Sequence, residues 1–173
     1  INYRNGHSSA KKELYTVLRK FYPSLINNFD TLSRNYDRAR DEFTAYKLRL
    51  KEQFVLPGKG DIAVAILGRP YTLLAKQMNK GIPDIFASLS VRSYFQDMLP
   101  DEYEGDIEPL LDAFHWSYAA DILKAASYCA KTEGIYPVLV TSFKCSPDSF
   151  VQEYFARILD AGNKPYLILQ IDE

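Results

Sequence analysis

The stretch Val138-Leu-Val-Thr-Ser-Phe-Lys-Cys-Ser-Pro-Asp-Ser149 decides the fold, because an apolar run passes within a few residues into the start of a helix. The β-branched run Val138 to Thr141 reads as a buried strand. Ser146 suits an N-cap and Pro147 the first helical position, where a missing N–H costs nothing, so a helix is expected from there to about Ala161. Cys145 then falls where free backbone N–H groups and the positive end of the helix dipole favour a thiolate over a thiol. An anion-friendly, metal-competent cysteine is expected at that point.

Working outward, strands and helices alternate from Asp61 to the end. Ile62 to Leu67 reads as a buried strand ending in Gly68-Arg69-Pro70-Tyr71. Ile82-Pro83 starts a helix to about Ser90, followed by an extended piece, Arg92 to Gln96. A polar loop, Asp101 to Asp106, precedes a helix over Tyr118 to Lys131. Ile135 to Phe143 is the third strand and Tyr166 to Ile171 the last. Such alternation implies crossover connections and a mostly parallel sheet of about four strands in a Rossmann-like three-layer α/β domain. Ligands of open parallel sheets bind beyond the carboxyl ends of the strands. Two segments qualify, Gly68 to Tyr71 and Phe143 to Asp148.

The N-terminal part differs: Ser9 to Phe54 is highly charged, lacks glycine and carries a helical period. A split at Tyr22-Pro23 divides it, because a proline disfavours helical geometry in the residue before it. Leu25, Phe29, Leu32, Tyr36, Ala39, Phe43, Tyr46 and Leu50 alternate spacings of four and three, a heptad stripe. A helix from about Pro23 to Phe54 would be roughly 45 Å long. The first helix, with Leu14, Val17, Leu18 and Phe21, either folds back on the stripe as a hairpin or leaves part of it to dock a partner. The domains expected are a helical hairpin arm over residues 1–58 and the α/β domain over residues 59–173.

Composition excludes several classes. Lys and Arg number 21 against 22 Asp and Glu, a formal charge of -1, and the two signs are mixed along the chain. That balance points neither to nucleic acid nor to an anionic membrane. No apolar stretch approaches the roughly 20 residues that span a bilayer, and the start Ile1-Asn-Tyr-Arg-Asn is not a signal peptide, so a cytoplasmic protein is expected. The start without methionine and the stop just after a strand-like segment suggest a fragment of something longer. Walker and Gly-x-Gly-x-x-Gly patterns are both missing from the sequence, which argues against autonomous nucleotide binding.

Several residues could carry chemistry. Arg69 can hold a carboxylate or phosphate in its planar fork, although Gly68 to Tyr71 would equally make a structural turn. Cys145 reads as a cluster ligand, a nucleophilic thiol or an inert cysteine. A nucleophile needs a base, and the imidazoles on offer are His7, expected in a disordered terminus, and His115 in an aromatic segment. Cys129, mid-helix in Ala125-Ala-Ser-Tyr-Cys-Ala130, reads as core. Asp148 and Ser149 open a helix, where acidic and hydroxyl residues are ordinary capping features, and Asp148 is of interest because it neighbours Cys145. Asp97 ends the second strand region.

The ordered series Gly68-Arg-Pro-Tyr71, Asn79-Lys-Gly-Ile-Pro83, Gln96-Asp-Met-Leu-Pro100, Trp116-Ser-Tyr118, Tyr136-Pro137, Phe143-Lys-Cys-Ser-Pro-Asp-Ser-Phe150 and Lys164-Pro-Tyr166 resembles the dehydratase-like domain of proteins related to the activators of 2-hydroxyacyl-CoA dehydratases. That domain is similar in turn to the dehydratase subunits and to double-cubane-cluster proteins. The resemblance covers roughly Asp61 onward and does not extend to the helical arm. It implies an iron-sulfur cluster that passes a low-potential electron, delivered by an ATP-driven activator, to a thioester. By that likeness Cys145 matches the motif cysteine and a cluster ligand, and Gly68, Arg69, Pro70 and Tyr71 match the first strand-end motif. Ligand contacts are expected from Gly68, Arg69, Tyr71, Asp148 and Ser149. The expected partners are other domains of the parent chain or an ATP-dependent activator, with a possible homo-oligomer through the arm. The cluster is expected only in the intact protein, and the chain alone is expected to be inactive. The alternative is a non-catalytic interaction or scaffold domain that uses the arm.

Overall fold

The computed structural model describes residues 5–26, 28–102, 107–113, 116–142 and 146–171. Contacts divide the chain into two compact units, Ile1–Arg49 and Leu50–Glu173.

The first unit is built on α1 (Gly6–Phe21) and α2 (Phe29–Lys51). They run antiparallel: His7 meets Tyr36, Lys11 meets Asp37, and the Tyr15 ring meets Phe29 edge-on at 5.6 Å. Ala10 and Leu32 are buried in this pair. His7 is therefore helical rather than in a disordered terminus, its Nδ1 lying 2.8 Å from the Tyr36 hydroxyl. At 23 residues α2 is also shorter than the heptad stripe suggests, about 35 Å at its rise per residue. The Asn28 side chain decides its start, accepting a hydrogen bond from the Thr31 N–H at 2.8 Å, so the helix is capped six residues after Tyr22 and leaves Leu25 outside it. The stripe beyond Tyr36 stays on the surface, with Phe43 and Tyr46 exposed.

The second unit is a four-stranded, wholly parallel sheet of β1 (Ala63–Gly68), β2 (Arg92–Phe95), β3 (Ile135–Thr141) and β4 (Leu167–Gln170), in the order β2-β1-β3-β4. This is the α/β architecture expected from the alternation, with a helical pair before it. β1 and β3 are buried on both faces because helices cover both. Ala63, Ala65, Leu67, Ile135 and Leu139 point to one face, where α7 (Ser117–Lys131) and α8 (Ser146–Ala161) lie. Val64, Ile66, Val138 and Val140 point to the other, against Leu73 of α3 (Pro70–Leu74) and Ile82 of α5 (Ile82–Ser88). α4 (Lys76–Asn79) and α6 (Glu108–Ala113) complete the α-helices among the described residues, and a 3₁₀ turn, Gln96–Met98, follows β2.

The crossover from β1 leads to one outer neighbour, β2, and that from β3 to the other, β4, on the opposite face. The strand order therefore reverses between β1 and β3, and the helices that follow them, α3 and α8, lie on opposite faces, which leaves a crevice beyond the paired strand ends, the usual ligand position of such sheets. The short α3 and α4 were not legible as helices, since four or five residues display no period. The motif Asn79-Lys-Gly-Ile-Pro83 is a structural turn: buried Asn79 donates to the Leu73 carbonyl at 2.7 Å, and Lys80 and Gly81 adopt left-handed conformations before Pro83 opens α5. Among the described residues no helix is long and apolar enough to cross a membrane.

Candidate functional site

The crevice begins with Gly68, whose backbone lies against β3. A Cβ there would sit 2.5 Å from the Val140 carbonyl oxygen, a separation that side chains do not tolerate. Only glycine lets the two strands meet at this register. The Gly68 N–H donates to Gln96 Oε1 at 3.0 Å inside the protein, so the turn after β2 braces the end of β1. Gln96 heads the motif Gln96-Asp-Met-Leu-Pro100 but is not among the expected site residues. Its neighbour Asp97 drew notice as the charged end of the strand, but the buried amide makes the connection.

Arg69 caps α3, and Pro70 occupies that helix's first turn, where its missing N–H is no loss. The Arg69 side chain reaches across to α8. Its Nε and Nη2 both donate to Asp148 Oδ1, at 2.9 and 2.5 Å, and Nη1 donates to the Tyr71 hydroxyl at 3.1 Å. The face of Tyr118, from the first turn of α7, lies 4.7 Å from the guanidinium carbon, a cation–π contact that a partly desolvated arginine favours. The Arg69 and Asp148 side chains are 22% and 11% exposed, so the pair is shielded but not sealed. Burial works to lower the Arg69 pKa, and the hydrogen bonds and charge of Asp148 outweigh it, holding the guanidinium above its ordinary value.

Below this pair the crevice is lined by Thr72, Ile122, Leu139, Thr141, Ser142 and Val151, among others. Its free space is about 10 Å³, room for roughly one water. Ser142 Oγ is buried there without a hydrogen-bond partner among the described residues. Such a group is uncommon in a folded protein and marks either a cost or an unfilled contact. Neither Ser142 nor Tyr118 is among the site residues expected from the sequence. Tyr118 stood in one of the ordered motifs, but nothing local to it indicates Arg69.

Of the expected site residues, the structure brings Gly68, Arg69, Tyr71 and Asp148 together around the crevice. Ser149 follows on α8 and is exposed. Cys145 and His115 lie outside the described residues. Cys129 is fully buried in the core on α7, where burial pushes its thiol up to about 12 against a smaller opposing pull from Lys164. An iron-sulfur cluster needs three or four protein ligands, usually thiolates. The chain has two cysteines, one of them locked in the core as a neutral thiol, and the described residues gather no group of three or more His, Cys, Asp or Glu. These residues do not by themselves fit such a cluster.

The fold and crevice define a parallel α/β module with a charged pair closing its switch point. The model of the CoA enzyme activase uncharacterised domain (DUF2229) matches residues 1–99, more than half of the chain, and the chain belongs to that family. The match takes in the helical unit, where no motif was recognised, and runs through β1 and β2. It stops before β3 and α8, which carry Ser142 and Asp148. No curated protein and no solved structure matches the chain.

Proposed function

We propose that this chain is the dehydratase-like part of a 2-hydroxyacyl-CoA dehydratase activator-related protein, and that its β1–β3 crevice is a small-molecule site. The observation that carries this reading is the Arg69–Asp148 pair, which ties the end of β1 to the first turn of α8 at the reversal of strand order. Membership of an activase-related family supports the setting. Within it, Cys145 contributes one thiolate to an iron-sulfur centre whose other ligands come from elsewhere in a longer protein or from an ATP-dependent activator. The chain alone then holds no cluster and has no dehydratase activity. The test is anaerobic iron and sulfide analysis of the longer protein beside its Cys145→Ser variant. Less iron in the variant is expected, and equal iron in both removes Cys145 from the ligand set.

A second reading, favoured by the exposure of Phe43 and Tyr46 on α2, is an interaction module in which the helical arm pairs with a second copy. Sedimentation of the chain and of a Phe43→Lys, Tyr46→Lys variant decides it. A dimer that the double substitution dissociates is expected, and a monomer in both cases ends this reading.

A further inference from the structure

We propose that the β1–β3 crevice takes a small aliphatic carboxylate, whose carboxylate group replaces that of Asp148 on Arg69 and accepts a hydrogen bond from Ser142 Oγ. The inference rests on the reading of the crevice as a ligand site and names the ligand's class. Arg69 is fixed on three sides, by Asp148 Oδ1, by the Tyr71 hydroxyl and by the Tyr118 ring, so its fork is preorganised for a carboxylate and already holds one. The space beneath, about 10 Å³, admits nothing larger than a water while Asp148 stays in place. A ligand therefore enters by exchange, and like replaces like most readily in a planar, bidentate fork.

The second observation is Ser142 Oγ, buried on the wall of the same crevice without a partner among the described residues. A buried hydroxyl without a partner is a standing cost that an incoming acceptor removes. The remaining wall selects the rest of the ligand. Ile122, Leu139 and Val151 are apolar and would strip the hydration shell of a phosphate without replacing it, whereas they suit a short aliphatic chain. Asp148 thus acts as an internal competitor that keeps the site closed until a ligand carboxylate displaces it.

Propionate and inorganic phosphate, titrated separately into the chain and followed by amide NMR at Gly68 and Ser142, test this. Propionate is expected to bind wild type weakly and to bind Asp148→Asn about tenfold tighter or more, because a neutral amide holds Arg69 less strongly than a carboxylate and so competes less with the ligand. Arg69→Ala should lose binding. Ser142→Ala should bind several-fold more weakly without a lower melting temperature, which separates ligand loss from unfolding. Shifts from neither anion, in wild type or Asp148→Asn, overturn the ligand site itself. Binding that Asp148→Asn does not tighten, that Ser142→Ala leaves unchanged, or that prefers phosphate overturns the carboxylate assignment while leaving the ligand-site reading standing.

Discussion

Arg69 donates two hydrogen bonds to a single oxygen of Asp148, a residue 79 positions away in the chain, and so closes the top of the sheet between β1 and β3. A partly buried ion pair of this kind matters most when half of it is removed. The remaining charge then has to be hydrated in a place built to exclude water.

Arg69→Ala should accordingly destabilise the α/β unit by about 1–3 kcal/mol, since it strands the 11%-exposed carboxylate of Asp148. Asp148→Asn keeps shape and acceptor and should cost less, about 1 kcal/mol. Urea denaturation of both single variants and the double variant would give a coupling energy of about 1–2 kcal/mol. Additive effects would show that the pair contributes no interaction of its own.

Gly68→Ala tests the close approach of β1 and β3. Its Cβ would meet the Val140 carbonyl at 2.5 Å, a backbone atom of a central strand that cannot turn aside. Spreading the strands should cost about 1–3 kcal/mol and weaken the Gly68 N–H contact with Gln96. Protection of the Gly68 amide from hydrogen exchange should fall together with the melting temperature. Wild-type values for both would mean the strands part freely here.

Cys129 should be inert in the folded chain. Its thiol is raised to about 12 by burial, so the folded state resists ionisation while the unfolded state ionises near 9. The sign follows: its contribution to stability is fully present below pH 9 and is lost as pH rises from there towards 12. Denaturation midpoints that decline over this window in wild type, and decline less in Cys129→Ala, are the expected result. A thiol reagent should modify Cys129 only on unfolding.

In the helical unit, the Lys11 ammonium lies 2.6 Å from the Asp37 carboxylate, and this hydrogen bond holds Asp37 below its ordinary value of 3.8. A depressed carboxylate contributes stability above its unfolded pKa and loses it as pH falls through the folded value. NMR titration of the Asp37 carboxyl carbon should place its midpoint under 3.8 in wild type and return it towards that value in Lys11→Met. An unchanged midpoint would remove Lys11 as the cause.

Legibility varied with the range of the physics involved. Ile62–Leu67 and Ile135–Phe143 were readable as strands because doubly covered parallel strands are continuous apolar runs, and the observed β1 and β3 lie within a residue or two of them. The α8 start at Ser146 was readable because caps and prolines act locally. The α2 start was not, since a continuous heptad stripe hid the capping of that helix by Asn28, whose side chain accepts a single hydrogen bond from the Thr31 N–H.

What the sequence by itself determined is the class of the chain: a charged helical pair, then an alternation of buried strands and helices that only a parallel sheet satisfies. Those signals are carried by residues close in the chain, and burial periodicity records them. Only the tertiary structure decided that Gly68 lies on Val140, that Arg69 meets Asp148 and Tyr118, and that Ser142 is left beneath them without a partner among the described residues. The strand order β2-β1-β3-β4 brings these residues together, and a contact between chain segments tens of residues apart leaves no periodic trace in either of them.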